Sequence, residues 1–231
     1  MSTRTYRPIP LALTMLIALF SALAALAVSG GHTAAAHGTA ANETAHASAA
    51  ISSKELALRQ DMRKLWEDHI TWTRLAVISL TTDAADTEAT VGRLLRNQTD
   101  LGNAIKPYYG AAAGKQLTSL LREHILIAAD LIAAARKGDQ EGVASEQARW
   151  TANADQIATL LANANPRFWK LGAMKKMMHD HLRLTTNEVV ARLQGHWAAD
   201  VRAYDRIHLQ ILRMADMLSQ GIVKQFPARF R

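Results

Sequence analysis

From Lys54 onward, apolar residues recur at spacings of three and four, and that period lets the chain build helices and little else. Six runs separate, near 54–81, 85–106, 114–136, 140–163, 170–193 and 197–224. Gly138 and Gly195 suit the left-handed position just past a helix end. Pro107, Pro166 and Pro227 follow every second run and should forbid its continuation, because proline has no N–H and crowds the preceding turn.

The runs pair into copies of one unit. Asp68-His69-Ile70, Glu123-His124-Ile125 and Asp180-His181-Leu182 share the pattern acid, histidine, aliphatic, and the histidines are 55 and then 57 residues apart. In the second run of each pair, Asn97, Asn153 and His208 follow at 56 and 55. Two markers with nearly one period indicate internal duplication. Midway between the markers lie Asp83, Gly138-Asp139 and Gln194-Gly195, each at an expected turn. Residues equidistant from the turn of an antiparallel hairpin lie side by side, so His69 should meet Asn97, His124 should meet Asn153 and His181 should meet His208. The expected fold is all-α: a six-helix bundle of three αα-hairpins, about 54–107, 114–166 and 170–225, within one domain spanning 54–227.

The histidines belong to the core face. Seven, four and three positions before them stand Met62, Leu65 and Trp66, then Leu117, Leu120 and Leu121, then Met174, Met177 and Met178, all apolar. Asp68, Glu123 and Asp180, one position earlier, turn about 100° away toward the edge. A buried imidazole or amide without a partner costs roughly 1–3 kcal/mol, so several at one level must satisfy one another or something bound between them. If the hairpins close around a common axis, His69, His124 and His181 form a ring completed by Asn97, Asn153 and His208.

Such a layer has two readings. Four imidazoles, His69, His124, His181 and His208, with Asp68, Glu123, Asp180 and Asp205 nearby, could hold zinc, copper or iron, or bind a small ligand through the same groups. Met174, Met177, Met178, Met214 and Met217 would add thioethers suited to copper, although methionine as core filler accounts for them too. The second reading is a polar layer that only fixes helix register, as a buried Asn does in coiled coils, in a structural or interaction module of the cell envelope. No motif carries a reaction. The paired E-x-x-H of ferritin-like sites, the H-E-x-x-H of zinc proteases, G-x-S-x-G and phosphate loops are all missing, so a non-enzymatic protein is expected.

The beginning of the chain reads differently. Arg4 and Arg7 precede an apolar run over 9–28 and the small residues Ala34-Ala35-Ala36, which is the layout of a secretory signal or an uncleaved N-terminal anchor over 1–30. Residues 31–53 are mostly Ala, Thr, Ser, Gly and His, including His32, His37 and His46, and suit a tether. A secreted or extracytoplasmic protein follows. Having no cysteine, it must be held by packing alone. The net charge of +7 suits an anionic envelope polymer or membrane surface. Basic residues interspersed with acids, without a dense stripe, argue against nucleic acid.

Three phrases carry a resemblance: Trp66-Glu67-Asp68-His69-Ile70-Thr71-Trp72-Thr73-Arg74, Asn103-Ala104-Ile105-Lys106-Pro107-Tyr108-Tyr109-Gly110 and Glu123-His124-Ile125-Leu126-Ile127-Ala128-Ala129. They resemble an uncharacterised family of exported helical proteins from Gram-positive bacteria, over about 58–226. The resemblance implies a helical fold and export, and no established activity.

Overall fold

The computed structural model describes residues 51–231. The expected export signal over 1–30, Ala34-Ala35-Ala36 and the linker histidines His32, His37 and His46 lie outside the described residues. Within them the chain is helical throughout: α1 Ser53–Thr82, α2 Thr87–Lys137, α3 Gln140–Ala164, α4 Leu171–Leu193 and α5 Trp197–Gln225, then a short 3₁₀ turn, Pro227–Phe230.

Five helices stand where the periodicity suggests six, because the second and third runs both fall within α2. Pro107 does not end its run. Helical structure continues past it to Gly110, where the backbone swings to φ 85° and ψ 167°. Only glycine adopts such a conformation at little cost. Beyond this bend the chain doubles back on itself. The Arg122 guanidinium donates to the Leu95 carbonyl at 3.1 Å, and a Cβ placed on Gly102 or on Gly114 would lie 2.6 Å from the other's carbonyl oxygen.

The remaining boundaries have local causes. The Ser52 hydroxyl accepts the Glu55 N–H at 3.2 Å, and the Asp139 carboxylate accepts the Gly142 N–H at 2.9 Å, so α1 and α3 begin on side-chain caps. Asp83 (φ 56°), Gly138 (φ 71°) and Gly195 (φ 71°) take the left-handed conformation that closes a helix C-terminus.

Consecutive helices pack against one another and α5 packs back on α1, so the ring closes. One end gathers the start of α1, the Gly110 bend and the C-terminus. There Lys54 Nζ donates to the Arg231 carbonyl at 3.1 Å, the Tyr109 hydroxyl to Gln225 Oε1 at 2.8 Å, and Arg229 to the Pro107 carbonyl at 2.6 Å. The turns at Asp83, Gly138 and Gly195 lie toward the other end.

The main core contains Met62, Trp66, Leu117, Leu121, Met174 and Met178, six of the nine apolar positions that precede the histidines. Leu65, Leu120 and Met177, four before each histidine, are half-buried against it. Met174, Met178 and Met214 are packed among aliphatic and aromatic neighbours as core residues. A smaller apolar group, Ala76, Leu94 and Ile125, forms apart from the main one.

Candidate functional site

Three imidazoles meet inside the ring of helices. His69 of α1, His124 of α2 and His181 of α4 are 3%, 4% and 4% exposed. His181 stands between the others, its ring centroid 5.9 Å from that of His69 and 6.3 Å from that of His124. Indoles flank the group: Trp66 meets His69 edge-on at 5.4 Å, and Trp150 lies 5.2 Å from His124.

Each ring is held by an amide from the helical segment antiparallel to its own. The Nδ1 of His124 faces Asn153 Oδ1 at 2.9 Å, that of His181 faces Gln210 Oε1 at 3.2 Å, and that of His69 faces Gln98 Nε2 at 3.3 Å. The separation in sequence is 29 residues in all three pairs. Amide NH2 groups bond in turn to the carbonyl four residues before each histidine: Asn97 to Leu65 at 3.0 Å, Asn153 to Leu120 at 3.1 Å and Gln210 to Met177 at 3.2 Å. Each helix-to-helix contact therefore positions both the ring and the backbone behind it.

The expected fourth imidazole is elsewhere. His208 is half-buried between α5 and α1, its Nε2 2.6 Å from Glu67 Oε1 and its ring stacked on Tyr204 at 5.9 Å. The residue that pairs with His181 is Gln210, 57 residues after Asn153 as His181 is 57 after His124, and not His208, which lies 55 after Asn153. Asn97 and Asn153 are buried in the layer as expected. The carboxylates stand outside it, Asp68, Glu123 and Asp180 on the edge to which a turn of about 100° from each histidine carries them. Asp68 pairs with Lys64 at 2.9 Å and Asp180 with Lys176 at 2.5 Å, while Glu123 and Asp205 are exposed, although Glu123 still reaches the Asn153 amide at 3.4 Å. The four-imidazole metal centre with flanking acids is therefore not assembled. Two rings sharing one zinc at about 2.0–2.1 Å per nitrogen would sit roughly 5 Å apart. Among the described residues no group of three such side chains is set to hold a metal ion.

A cavity of about 50 Å³ extends from the imidazoles toward the hairpin turns. Its walls come from Val77, Leu80, Val91, Leu94, Ile125, Ile132 and Val189, and its polar edge from Trp150, Thr73, Thr185 and Thr186. No charged side chain lines it. The hydroxyls of Thr73 and Thr185 spend their protons on the carbonyls of His69 and His181, at 2.8 and 2.9 Å.

Burial dictates the charge of the layer. Desolvation, and then the nearness of the His181 and His124 rings, takes the His69 pKa from 6.5 to about 3. His124 falls to about 3 for the same reasons, with His181 as the neighbour, and His181 falls to about 4 through desolvation. All three are neutral at ordinary pH, which makes them hydrogen-bonding groups and potential lone-pair donors.

No protein family, curated protein or solved structure matches this chain.

Geometry alone therefore carries the reading, and it also reveals a second polar cluster. Arg74 of α1 bonds to Glu188 of α4 at 2.7 Å and, through both terminal nitrogens, to Asp200 of α5; Arg192 reaches Asp200 at 2.9 Å. Glu188 and Asp200 are fully buried. Burial raises the Glu188 pKa against the pull of Arg74. At Asp200 burial acts the same way, but the bonds from Arg74 and Arg192 win and hold its pKa low. Glu188 falls seven residues after His181 and Thr185 falls four after it, so an acid on the buried stripe was a visible signal.

Proposed function

We propose that this chain is an exported, non-enzymatic binding protein whose small ligand rests against the imidazole layer. One observation carries the reading: His124 and His181 are tied through Nδ1 to amide oxygens, line a cavity beside His69, and offer Nε2 atoms that no described residue hydrogen-bonds. Rings oriented through one nitrogen and free at the other are prepared to bind something. Export is supported by the signal-like N-terminal sequence, and the basic excess suits a place among anionic envelope polymers. Among the described residues no helix is long and apolar enough to cross a membrane, so an anchor, if retained, would be the run over 9–28.

Descent from three copies of one helical hairpin belongs to the same reading. It is supported by the constant 29-residue step from histidine to amide and by the recurring bond to the carbonyl four residues before the histidine. A second reading, in which the layer only sets helix register, is favoured by the same pairs, since each ties antiparallel segments together.

Protein purified without a chelator or metal-affinity tag distinguishes the two. Native mass spectrometry, metal quantification and thermal shifts with divalent metals and small neutral molecules should reveal one ligand per chain. A protein that carries nothing, and whose Tm no addition raises, would leave the register reading standing.

A further inference from the structure

The class of ligand follows from the hydrogen-bonding atoms left over at the cavity, and it rests on the binding reading above. Asn153 uses its NH2 on the Leu120 carbonyl, so the atom facing His124 Nδ1 is its oxygen, and Nδ1 must carry the proton. Gln210 uses its NH2 on the Met177 carbonyl in the same way, which puts the His181 proton on Nδ1 as well. Each of these neutral rings then has a lone pair at Nε2 and no proton there. Beside them, Trp150 Nε1 is a buried donor without a partner in the described residues. His69 is the opposite tautomer: its Nδ1 faces the Gln98 NH2, which leaves the proton on Nε2. The cavity lining thus holds acceptors on His124 and His181 and donors on Trp150 and His69, in largely apolar walls that include the Thr186 hydroxyl and no charge.

A hydroxyl meets both needs, donating its proton to an imidazole and accepting the indole N–H. A carbonyl or carboxylate can only accept, and an ammonium can only donate. Either ion would also be stripped of water with no counter-charge in the lining, a heavy cost. Size limits the rest: at roughly 10–15 Å³ per water-sized group, about three to five heavy atoms fit. We propose that the cavity binds an uncharged, hydroxyl-bearing molecule of a few heavy atoms, with its hydroxyl against His124, His181 and Trp150 and its alkyl part among Val77, Leu94 and Ile125.

Propan-2-ol and acetone have the same heavy-atom count and nearly the same shape, but only the alcohol can donate. The purified full chain is titrated with each, and with isopropylammonium and zinc, while long-range ¹H–¹⁵N NMR follows the histidine ring nitrogens. Propan-2-ol should shift Nε2 of His124 and His181 saturably. Acetone should bind at least tenfold more weakly, and isopropylammonium should leave the rings unmoved. Trp150→Phe keeps an aromatic ring and removes the N–H, so it should lower propan-2-ol affinity severalfold without altering the starting tautomers. Acetone or isopropylammonium binding as well as the alcohol would overturn the hydroxyl assignment, as would zinc taking Nε2 at one per chain; the ligand site itself would survive. If none of the four moves a ring nitrogen saturably, ligand binding at the layer is refuted along with it.

Discussion

The Nδ1 of His124 lies 2.9 Å from Oδ1 of Asn153, and neither side chain reaches solvent. Breaking this pair from one side should cost more than removing it whole. Asn153→Leu leaves a buried imidazole N–H without an acceptor, a loss of roughly 1–3 kcal/mol. Adding His124→Phe should restore part of it. Urea denaturation of the two single variants and the double variant measures the coupling, and additive losses would mean that the bond does not organise the layer.

Acid should unfold the protein through the same rings. Unfolded histidines titrate near 6.5, whereas the folded values are about 3, 3 and 4, so between these limits the unfolded chain binds more protons. The stability they confer is complete above about pH 6.5 and is lost as pH falls toward 3–4. With three groups the slope approaches about 4 kcal/mol per pH unit. Tm followed from pH 7.5 to 4.5 should be level and then drop steeply, and a flat profile would show that the rings are not buried neutral.

Arg74 should be the keystone of the buried ion cluster. Arg74→Leu leaves Glu188 without its cation and Asp200 with only Arg192, which should cost about 3–5 kcal/mol. Glu188→Gln in the same background should recover part of the loss by removing the stranded charge. Chemical denaturation at pH 7 reads both, and a loss under 1 kcal/mol would show the cluster to be hydrated.

Close approach of the two arms of α2 depends on absent side chains. Gly102→Ala places a Cβ against Thr118 Oγ1 and 2.6 Å from the Gly114 carbonyl oxygen. The arms must part, at a cost of roughly 1–3 kcal/mol. Gly92→Ala, where a Cβ meets nothing within 4 Å, is the control and should be neutral or stabilising. Equal Tm changes in the two variants would contradict the packing at the bend.

His208→Asn separates the outer histidine from the inner three. Its pair with Glu67 is more than a third exposed on one side, so its loss should cost under about 1 kcal/mol and leave ligand binding intact. His181→Asn should abolish binding. If His208→Asn also did so, the site would extend to the α1–α5 face.

Much of this was legible in the sequence, and the misses have physical causes. His69, His124 and His181 could be placed in the core because their apolar predecessors fix one helical face. The third partner stands two residues beyond the expected one: the separation from histidine to amide is 29 residues in every pair, so the 57-residue step from His124 to His181 recurs from Asn153 to Gln210. Pro107 marks no boundary of α2, because it removes one hydrogen bond without stopping the helix, which bends only at Gly110, three residues later. Glu188 had a local signature, whereas the pairing of Arg74 with Asp200 arises from α5 closing on α1, a contact across 126 residues that no local pattern announces.

That closure also sets the direction in which the molecule faces. The Lys54 ammonium touches the carbonyl of the final residue, Arg231, so the segment before α1 joins the domain at the pole remote from the cavity. A protein moored to a surface by that segment would stand upright on its base, with the imidazole layer roughly 24 Å above it, because His69 lies 16 residues along a helix that rises 1.5 Å per residue, and with the chamber extending from there away from whatever anchors it.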